Sequence, residues 1–152
     1  MAFSGSFICT SFKLDLLCGR MNFLASGGNQ FKMSLHTNTA TPMDATLTAY
    51  TTSGEHGGTG TYTATGKNLT NTATFPKVPS GVTAVATFDN LIWAASTITA
   101  RGAVIYNDTI TTPVADPSVC VLDFGADKSS SAGDFTVSFP PSDAANAIIR
   151  IA

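Results

Sequence analysis

The chain has 152 residues, of which 43% are hydrophobic and only 12% are charged, and its formal net charge is -2. A domain of this length buries roughly two thirds of its unfolded surface, so it needs no disulfide framework or structural metal to hold a core. The basic residues are scattered singly, which argues against the Lys and Arg clusters of nucleic-acid-binding proteins. We therefore expect a single β domain over residues 1–152, with no nucleic-acid partner.

Membrane insertion and export are not indicated either. No apolar run approaches the ~18–20 residues of a membrane span. The first residues also lack the basic segment that precedes the apolar part of a signal peptide. The chain has three cysteines, Cys9, Cys18 and Cys120, an odd number without a CxxC pair. They are interpreted as small apolar core residues, and synthesis in the cytoplasm without a membrane partner is expected.

The N-terminal part predicts an arm, a helix and a strand. Residues 1–10 form the expected N-terminal arm. The spacing of the apolar residues predicts one short helix over residues 10–21, with Thr10 or Ser11 as its cap. Residues 31–36 alternate apolar and polar side chains, which is typical of a half-buried strand.

Residues 38–66 are rich in Thr and Gly and have no regular pattern. They predict a long exposed excursion from the domain, with a short strand or turn near residues 47–50. Loops of this length in compact domains are usually functional or ordered by a partner. A surface loop without a role is the alternative.

The rest of the chain predicts short strands separated by turns. The strands are expected at residues 67–75, 82–88, 91–93, 96–101, 103–106, 119–124, 135–139 and 147–151, with a long loop at 125–134. The whole chain then has about eight strands at regular spacing. This pattern predicts an all-β fold, an antiparallel β-sandwich or jelly roll with one short N-terminal helix.

No catalytic, cofactor-binding or metal-binding residue is assigned from the sequence. His36 falls on the polar face of a strand and His56 in a Gly-rich loop, so both are interpreted as surface histidines. Asp123, Asp127 and Asp134 are the residues that could gather around an ion. Their spacing does not match the ligand order of a calcium loop, and whether they bind an ion is left open.

Several larger side chains are interpreted as structural. Phe88, Trp93 and Tyr106 are expected to be core residues or anchors of a subunit interface. Arg101 is expected either to pair with Asp89 or Asp123 at a sheet end, or to be an ordinary solvated side chain.

The low charge also bears on partners. A surface of Thr, Ser, Asn and Gly loses little ion hydration on contact, which favours a protein that is packed against other proteins. The alternative is an ordinary β-rich surface, in which Thr is common.

Several short motifs resemble those of a group of small structural proteins of tailed bacteriophages. The resemblance covers most of residues 10–152. The motifs are FKMSL at 31–35, TAY at 48–50, GTGTY at 58–62, KNLTN at 67–71, TITARGA at 97–103 followed by IYN at 105–107, and LDFG at 122–125 followed by KSS at 128–130.

The resemblance implies a non-enzymatic virion component and transfers no catalytic residue. A capsid decoration or cement protein is the first expectation, with the major capsid protein or other virion proteins as partners and a homo-oligomer, dimer or trimer, as the assembly. The alternative is a neck, tail or fibre component that binds a receptor or glycan. That role needs exposed aromatic side chains, for which Tyr50, Tyr62 and Trp93 are the candidates.

Overall fold

The computed structural model describes residues 3–58, 60–71 and 76–152. Its elements in chain order are β1 (Phe7–Ile8), α1 (Thr10–Leu17), β2 (Phe31–His36), β3 (Lys67–Asn68), β4 (Lys77–Ser80), β5 (Thr83–Ala86), β6 (Leu91–Asn107), β7 (Ser118–Val137) and β8 (Ile149–Ile151).

The strands form two antiparallel sheets. The larger sheet has the order β1-β7-β6-β2-β3, and the smaller one has the order β4-β5-β8. Val104 and Val121 of the larger sheet share one hydrophobic cluster with Ala86 and Ile149 of the smaller one. The predicted all-β, sandwich-like class with one short helix is confirmed.

Strand β6 is continuous where the sequence predicts three separate strands. Its buried positions change phase, from Leu91 and Trp93 to Ser96 and Ile98. The change occurs at a β-bulge, where the register with β7 shifts and Ala95 has a φ of 48°. An extra residue in a strand moves all later side chains to the opposite face, so the bulge interrupts the alternation without ending the strand.

The prediction of a loop at residues 125–134 is wrong, because this segment lies inside β7. Its Ser, Gly and Asp residues have turn-like composition, yet Lys128 and Ser130 pair with Ala100 and Ile98 of β6. Register shifts and a φ of 50° at Ala132 accommodate the irregular residues within the strand. Pairing with a well-formed neighbouring strand therefore overrides the local preference for a turn.

Four elements are shorter than predicted, among them the strand predicted at 82–88, which covers only Thr83–Ala86. Helix α1 ends at Leu17 instead of residue 21, because Gly19 adopts a φ of 68°, the left-handed conformation that closes helices. Neither Thr10 nor Ser11 caps the helix; the N-cap is Cys9, which makes no side-chain capping bond. The strand predicted at 67–75 is limited to Lys67–Asn68 in the described residues, and residues 72–75 lie outside them. The last strand covers Ile149–Ile151.

The core is rich in aromatic contacts. Phe23 and Phe31 stack with ring centroids 4.4 Å apart, and both lie close to Phe88. Trp93 packs between Tyr62 and Phe135, with centroid distances of 5.8 and 6.2 Å. Phe88, Trp93 and Tyr106 are all buried, as expected for core residues.

The N-terminal arm packs against the domain from Phe3 onward. Phe3 is fully buried and forms a parallel bridge with Met43, while Phe7–Ile8 pairs with β7. The side chains of Phe3 and Cys9 are both fully buried, so apolar contacts hold this segment against the domain.

The excursion over residues 38–66 is also packed onto the domain rather than exposed throughout. Ala40, Met43, Leu47 and Tyr62 from this segment are buried. At the predicted strand or turn, Ala49 forms an isolated bridge with Pro117. Sparse apolar residues without periodicity therefore hold the excursion in place. No helix in the described ranges is long and apolar enough to cross a membrane.

Gly102 provides a test of how the arm is packed. A Cβ at this position would lie 2.3 Å from both the Leu122 carbonyl oxygen and a ring carbon of Phe3. We expect Gly102→Ala to destabilise the protein by about 2 kcal/mol or more, because neither the strand nor the buried ring can move away freely. Chemical denaturation measures the change.

Gly133→Ala is the matched control, since a Cβ there has its nearest contact at 3.8 Å. Its effect should stay within about 0.5 kcal/mol. Equal effects of the two substitutions would contradict the close packing of Phe3 against β6.

Candidate interaction surface

The two histidines differ from the surface interpretation. His36 is fully buried, because the excursion covers the face of β2 that carries it. Its Nδ1 lies 3.0 Å from the Ser53 carbonyl oxygen, which can only accept, so Nδ1 carries the proton of the neutral ring. Its Nε2 then accepts from Ser34 Oγ at 2.8 Å. His56 is half-buried and packs edge-on against Tyr62.

The distance between Ser34 and His36 matches that between a catalytic nucleophile and its base, but the surroundings of the two residues do not suit catalysis. Both side chains are fully buried, and the third group is a backbone carbonyl of Ser53 instead of a carboxylate. A nucleophile must reach its substrate, and Ser34 has no exposed surface. The arrangement fixes the excursion to β2.

Glu55 completes this attachment. Its two carboxylate oxygens accept from the hydroxyls of Tyr50 and Tyr62, at 2.5 and 2.8 Å. The Tyr62 hydroxyl also accepts from the Leu35 backbone N–H at 3.0 Å. Burial raises the pKa of Tyr50 and of Tyr62 above the ordinary range, so both remain donors at neutral pH. The sole glutamate of the chain thus links two tyrosines of the excursion, and the Tyr62 hydroxyl joins them to β2.

Two of the three aromatic candidates for glycan binding are inaccessible. Tyr62 is 2% and Trp93 is 1% exposed, so neither ring offers a face on which a sugar could stack. Tyr50 is partly exposed, but its ring packs against Tyr106 at 4.8 Å. Trp93 is a core residue, and Tyr50 and Tyr62 hold the carboxylate of Glu55.

Arg101 pairs with Asp123, one of the two partners expected from the sequence, with Nε 3.0 Å from Oδ1. The hydrogen bond from Arg101 lowers the pKa of Asp123. Asp127 and Asp134 do not join Asp123, and nowhere in the described ranges do three or more His, Cys, Asp or Glu side chains gather in a metal-binding geometry.

The prediction for the cysteines is correct for two of the three. Cys9 and Cys120 are buried, and burial raises the pKa of the Cys9 thiol to about 12. Cys18 is exposed at the end of α1, where the helix closes earlier than predicted.

The outer edge of β7 is the first uncovered surface. Strand β1 pairs only with Cys120 and Val121, and Ser6 Oγ accepts from the Asp123 N–H at 3.0 Å. Beyond this point no described strand pairs with the outer edge over residues 124–137. Most side chains in this stretch are exposed.

A cleft of about 470 Å³ follows this edge. Phe124, Phe135 and Val137 contribute its apolar part, while Lys128 and Asp134 contribute opposite charges. The sequence did not identify this surface, because the residues 128–134 have the composition of a loop.

A second surface, left open by the residues that the structure describes, is an apolar groove of about 400 Å³ between the end of α1 and the smaller sheet. Leu16, Met21 and Phe23 line one side, and Val85 and Ile149 line the other. None of its lining residues is charged.

Exposed apolar side chains accompany this groove. Ile151, which lines it, is 54% exposed, and Leu17, next to the lining residue Leu16, is 88% exposed. Val82 is 88% exposed between β4 and β5. Exposed apolar surface of this kind often marks interaction sites in soluble proteins.

Comparison of the sequence and the fold with models of protein families, with curated proteins and with solved structures found no match. Function is therefore inferred from the chemistry of the chain's own surfaces.

The attachment of the excursion can be tested at Tyr62. Tyr62→Phe leaves the buried Leu35 N–H without its acceptor and one Glu55 oxygen without its donor, so we expect a loss of about 1–3 kcal/mol and faster proteolysis within residues 38–66. Tyr50→Phe removes a bond to Glu55 but leaves the Leu35 N–H paired, and it serves as the control, with a smaller loss. If both variants were equally stable, the network would not hold the excursion.

His36 should make stability depend on pH. Burial lowers its folded-state pKa below the ordinary 6.5, so the unfolded chain binds a proton first as the pH falls. We expect the free energy of unfolding to decrease as the pH falls from about 6.5 to the lowered folded-state pKa, with no further contribution from His36 below that.

Urea denaturation at a series of pH values measures this slope. The slope should disappear in His36→Gln and persist in His56→Gln, which removes the other histidine and leaves the Ser34 contact intact. A slope retained in His36→Gln would contradict the assignment.

Proposed function

We propose that the chain is a non-enzymatic structural protein of a tailed-bacteriophage virion, and within the virion a capsid decoration protein that bridges capsid subunits. The observation that supports this proposal is the uncharged apolar groove beside α1, in which Ile151 is 54% exposed. An apolar surface without charge suits a permanent neighbour, because contact removes hydrocarbon from water and strips no ion of its hydration.

The proposed mechanism is repeated modest burial. The major capsid protein, or another virion protein, would cover the groove with apolar side chains of its own. Each contact contributes little, but a subunit held at more than one point dissociates slowly, because a released contact re-forms before the others open. A decoration protein would stabilise the head in this way.

The motif resemblance at residues 97–107 and 122–130 agrees with this assignment. A neck, tail or fibre position remains the alternative within the same class. The burial of Tyr62 and Trp93 removes two of the three aromatic candidates for a glycan-binding role, and the ring of the third, Tyr50, packs against Tyr106, so no specific feature favours that alternative.

Copy number on purified virions tests the proposal. Quantitative mass spectrometry should find the chain in hundreds of copies per particle for a head position, and in a handful for a neck or tail position. Absence from mature particles would overturn the virion assignment.

The groove is tested by placing a charge beside it. Ile151→Glu should leave folding unchanged, because this lining side chain is 54% exposed, but should reduce occupancy on particles by about tenfold or more. Val114→Glu is the control: it introduces the same charge at a partly exposed residue that does not line the groove. Equal occupancy of the two variants would exclude the groove as the contact surface.

A further inference from the structure

Residues 51–58, the middle of the excursion, lie along the edge of β2 and are called the strap below. Glu55 of the strap forms an isolated antiparallel bridge with His36 of β2. Two backbone hydrogen bonds, each 2.8 Å long, flank this bridge: Thr37 N–H to the Gly54 carbonyl and His56 N–H to the Leu35 carbonyl. The strap therefore covers backbone groups that the edge of β2 would otherwise leave open.

The strap is attached to the domain by polar contacts. Every residue from 51 to 58 is half-buried or exposed. Aromatic rings are packed on both sides of it in sequence: Tyr50 lies against Tyr106 at 4.8 Å, and Tyr62 lies against Trp93 at 5.8 Å. Release of the strap alone would break hydrogen bonds but would leave these rings packed. It therefore requires less free energy than opening of the whole excursion.

His36 is the titratable group beneath the strap. Its ring is fully buried, with one nitrogen donating to the Ser53 carbonyl of the strap and the other accepting from Ser34. A second proton would place a charge where water does not reach it, and it would turn the accepting nitrogen into a donor that faces the Ser34 hydroxyl. Burial accordingly lowers the pKa of His36.

The charges around His36 do not offset this burial. Glu55 attracts a proton to the ring, but both of its carboxylate oxygens already accept from tyrosine hydroxyls. His56, the next residue of the strap, is half-buried. On the neighbouring strands, Arg101 and Asp123 pair with each other, with Nε 3.0 Å from Oδ1. A proton on His36 is thus accommodated more easily when the strap is away and water reaches the ring.

We propose that residues 51–58 are an acid-released strap: protonation of His36 increases the population of a state in which they leave β2 and uncover its edge at residues 35–37. Tyr50 and Tyr62 stay packed in this state. The release is a property of the isolated chain, so it goes beyond the proposed virion role and does not depend on it.

The direction of the pH effect follows from the two states of the strap. In the released state His36 is solvated and has its ordinary pKa of 6.5, whereas in the closed state its pKa is lower. The released state therefore binds a proton first, and its population rises as the pH falls below about 6.5. Below the lowered pKa both states are protonated, and the population rises no further.

Hydrogen exchange of single amides, measured by NMR on the full chain, tests the release. Between about pH 7.5 and about pH 5.5, the protection of the Thr37 and His56 amides should fall by about threefold to tenfold after correction for intrinsic exchange. Tenfold is about the limit for a group with an ordinary pKa of 6.5 at one pH unit below it.

Low concentrations of urea distinguish release of the strap from unfolding of the domain. Val104 and Ile105 lie in β6 between β2 and β7, so their amides exchange only when the sheet opens. Their protection should be higher than that of Thr37 and His56 and should fall steeply with urea, because unfolding exposes much surface. The protection of the strap amides should hardly change with urea, because the release exposes little.

Two histidine variants assign the titrating group. His36→Gln retains a side-chain donor and an acceptor but cannot be protonated, so the protection of the Thr37 amide should no longer depend on pH. His56→Gln removes the other histidine and is the matched control, in which the pH dependence should persist. The urea comparison needs only the wild type, so it decides the release even if His36→Gln does not fold.

Three results would each overturn the inference. One is protection of the Thr37 and His56 amides that equals that of Val104 in size and in urea dependence. The second is protection of these amides that is the same at both pH values. The third is a pH dependence that survives in His36→Gln. Virion copy number decides the proposed function separately, since neither result bears on the other.

Discussion

Backbone pairing between β6 and β7 is the interaction on which the other described elements depend. The two strands are 17 and 20 residues long, and their pairing continues from Leu91 opposite Val137 to Tyr106 opposite Ser118. Strand β2 adds to one side of this hairpin and β1 to the other. The excursion then attaches to β2 through the Tyr62 hydroxyl and the Ser53 carbonyl, so it depends indirectly on the same pairing.

The bulges explain how such a long hairpin can serve two purposes. Between Gly102 and Asn107, β6 is almost entirely buried, because it lies at the centre of the larger sheet. Toward Leu91 it alternates buried and exposed side chains, so one face is open to solvent. The bulge at Ala95 keeps the buried positions directed toward the core as the strand continues. One hairpin thus supplies both a core and an accessible surface.

The class of fold could be predicted because it depends on apolar residues and turns. Strand β2 was predicted with its exact bounds from the alternation of residues 31–36 alone. The continuity of β7 could not be predicted, since the Ser- and Gly-rich residues 128–133 become a strand only through their partners in β6. The burial of His36 was missed for a related reason: the chain that covers it has no periodicity that would predict its position. Of the surfaces, only the low charge was predictable, because grooves and edges arise from distant segments.

The contact between Phe3 and Gly102 has a consequence for synthesis. Phe3 lies far upstream of Gly102 in β6 and of Leu122 in β7, so it emerges from the ribosome well before either strand. The ring of Phe3 therefore stays exposed until β6 and β7 have both been synthesised and paired. Pairings between residues so far apart in sequence slow folding. The nascent chain thus depends on β6 and β7 to cover Phe3.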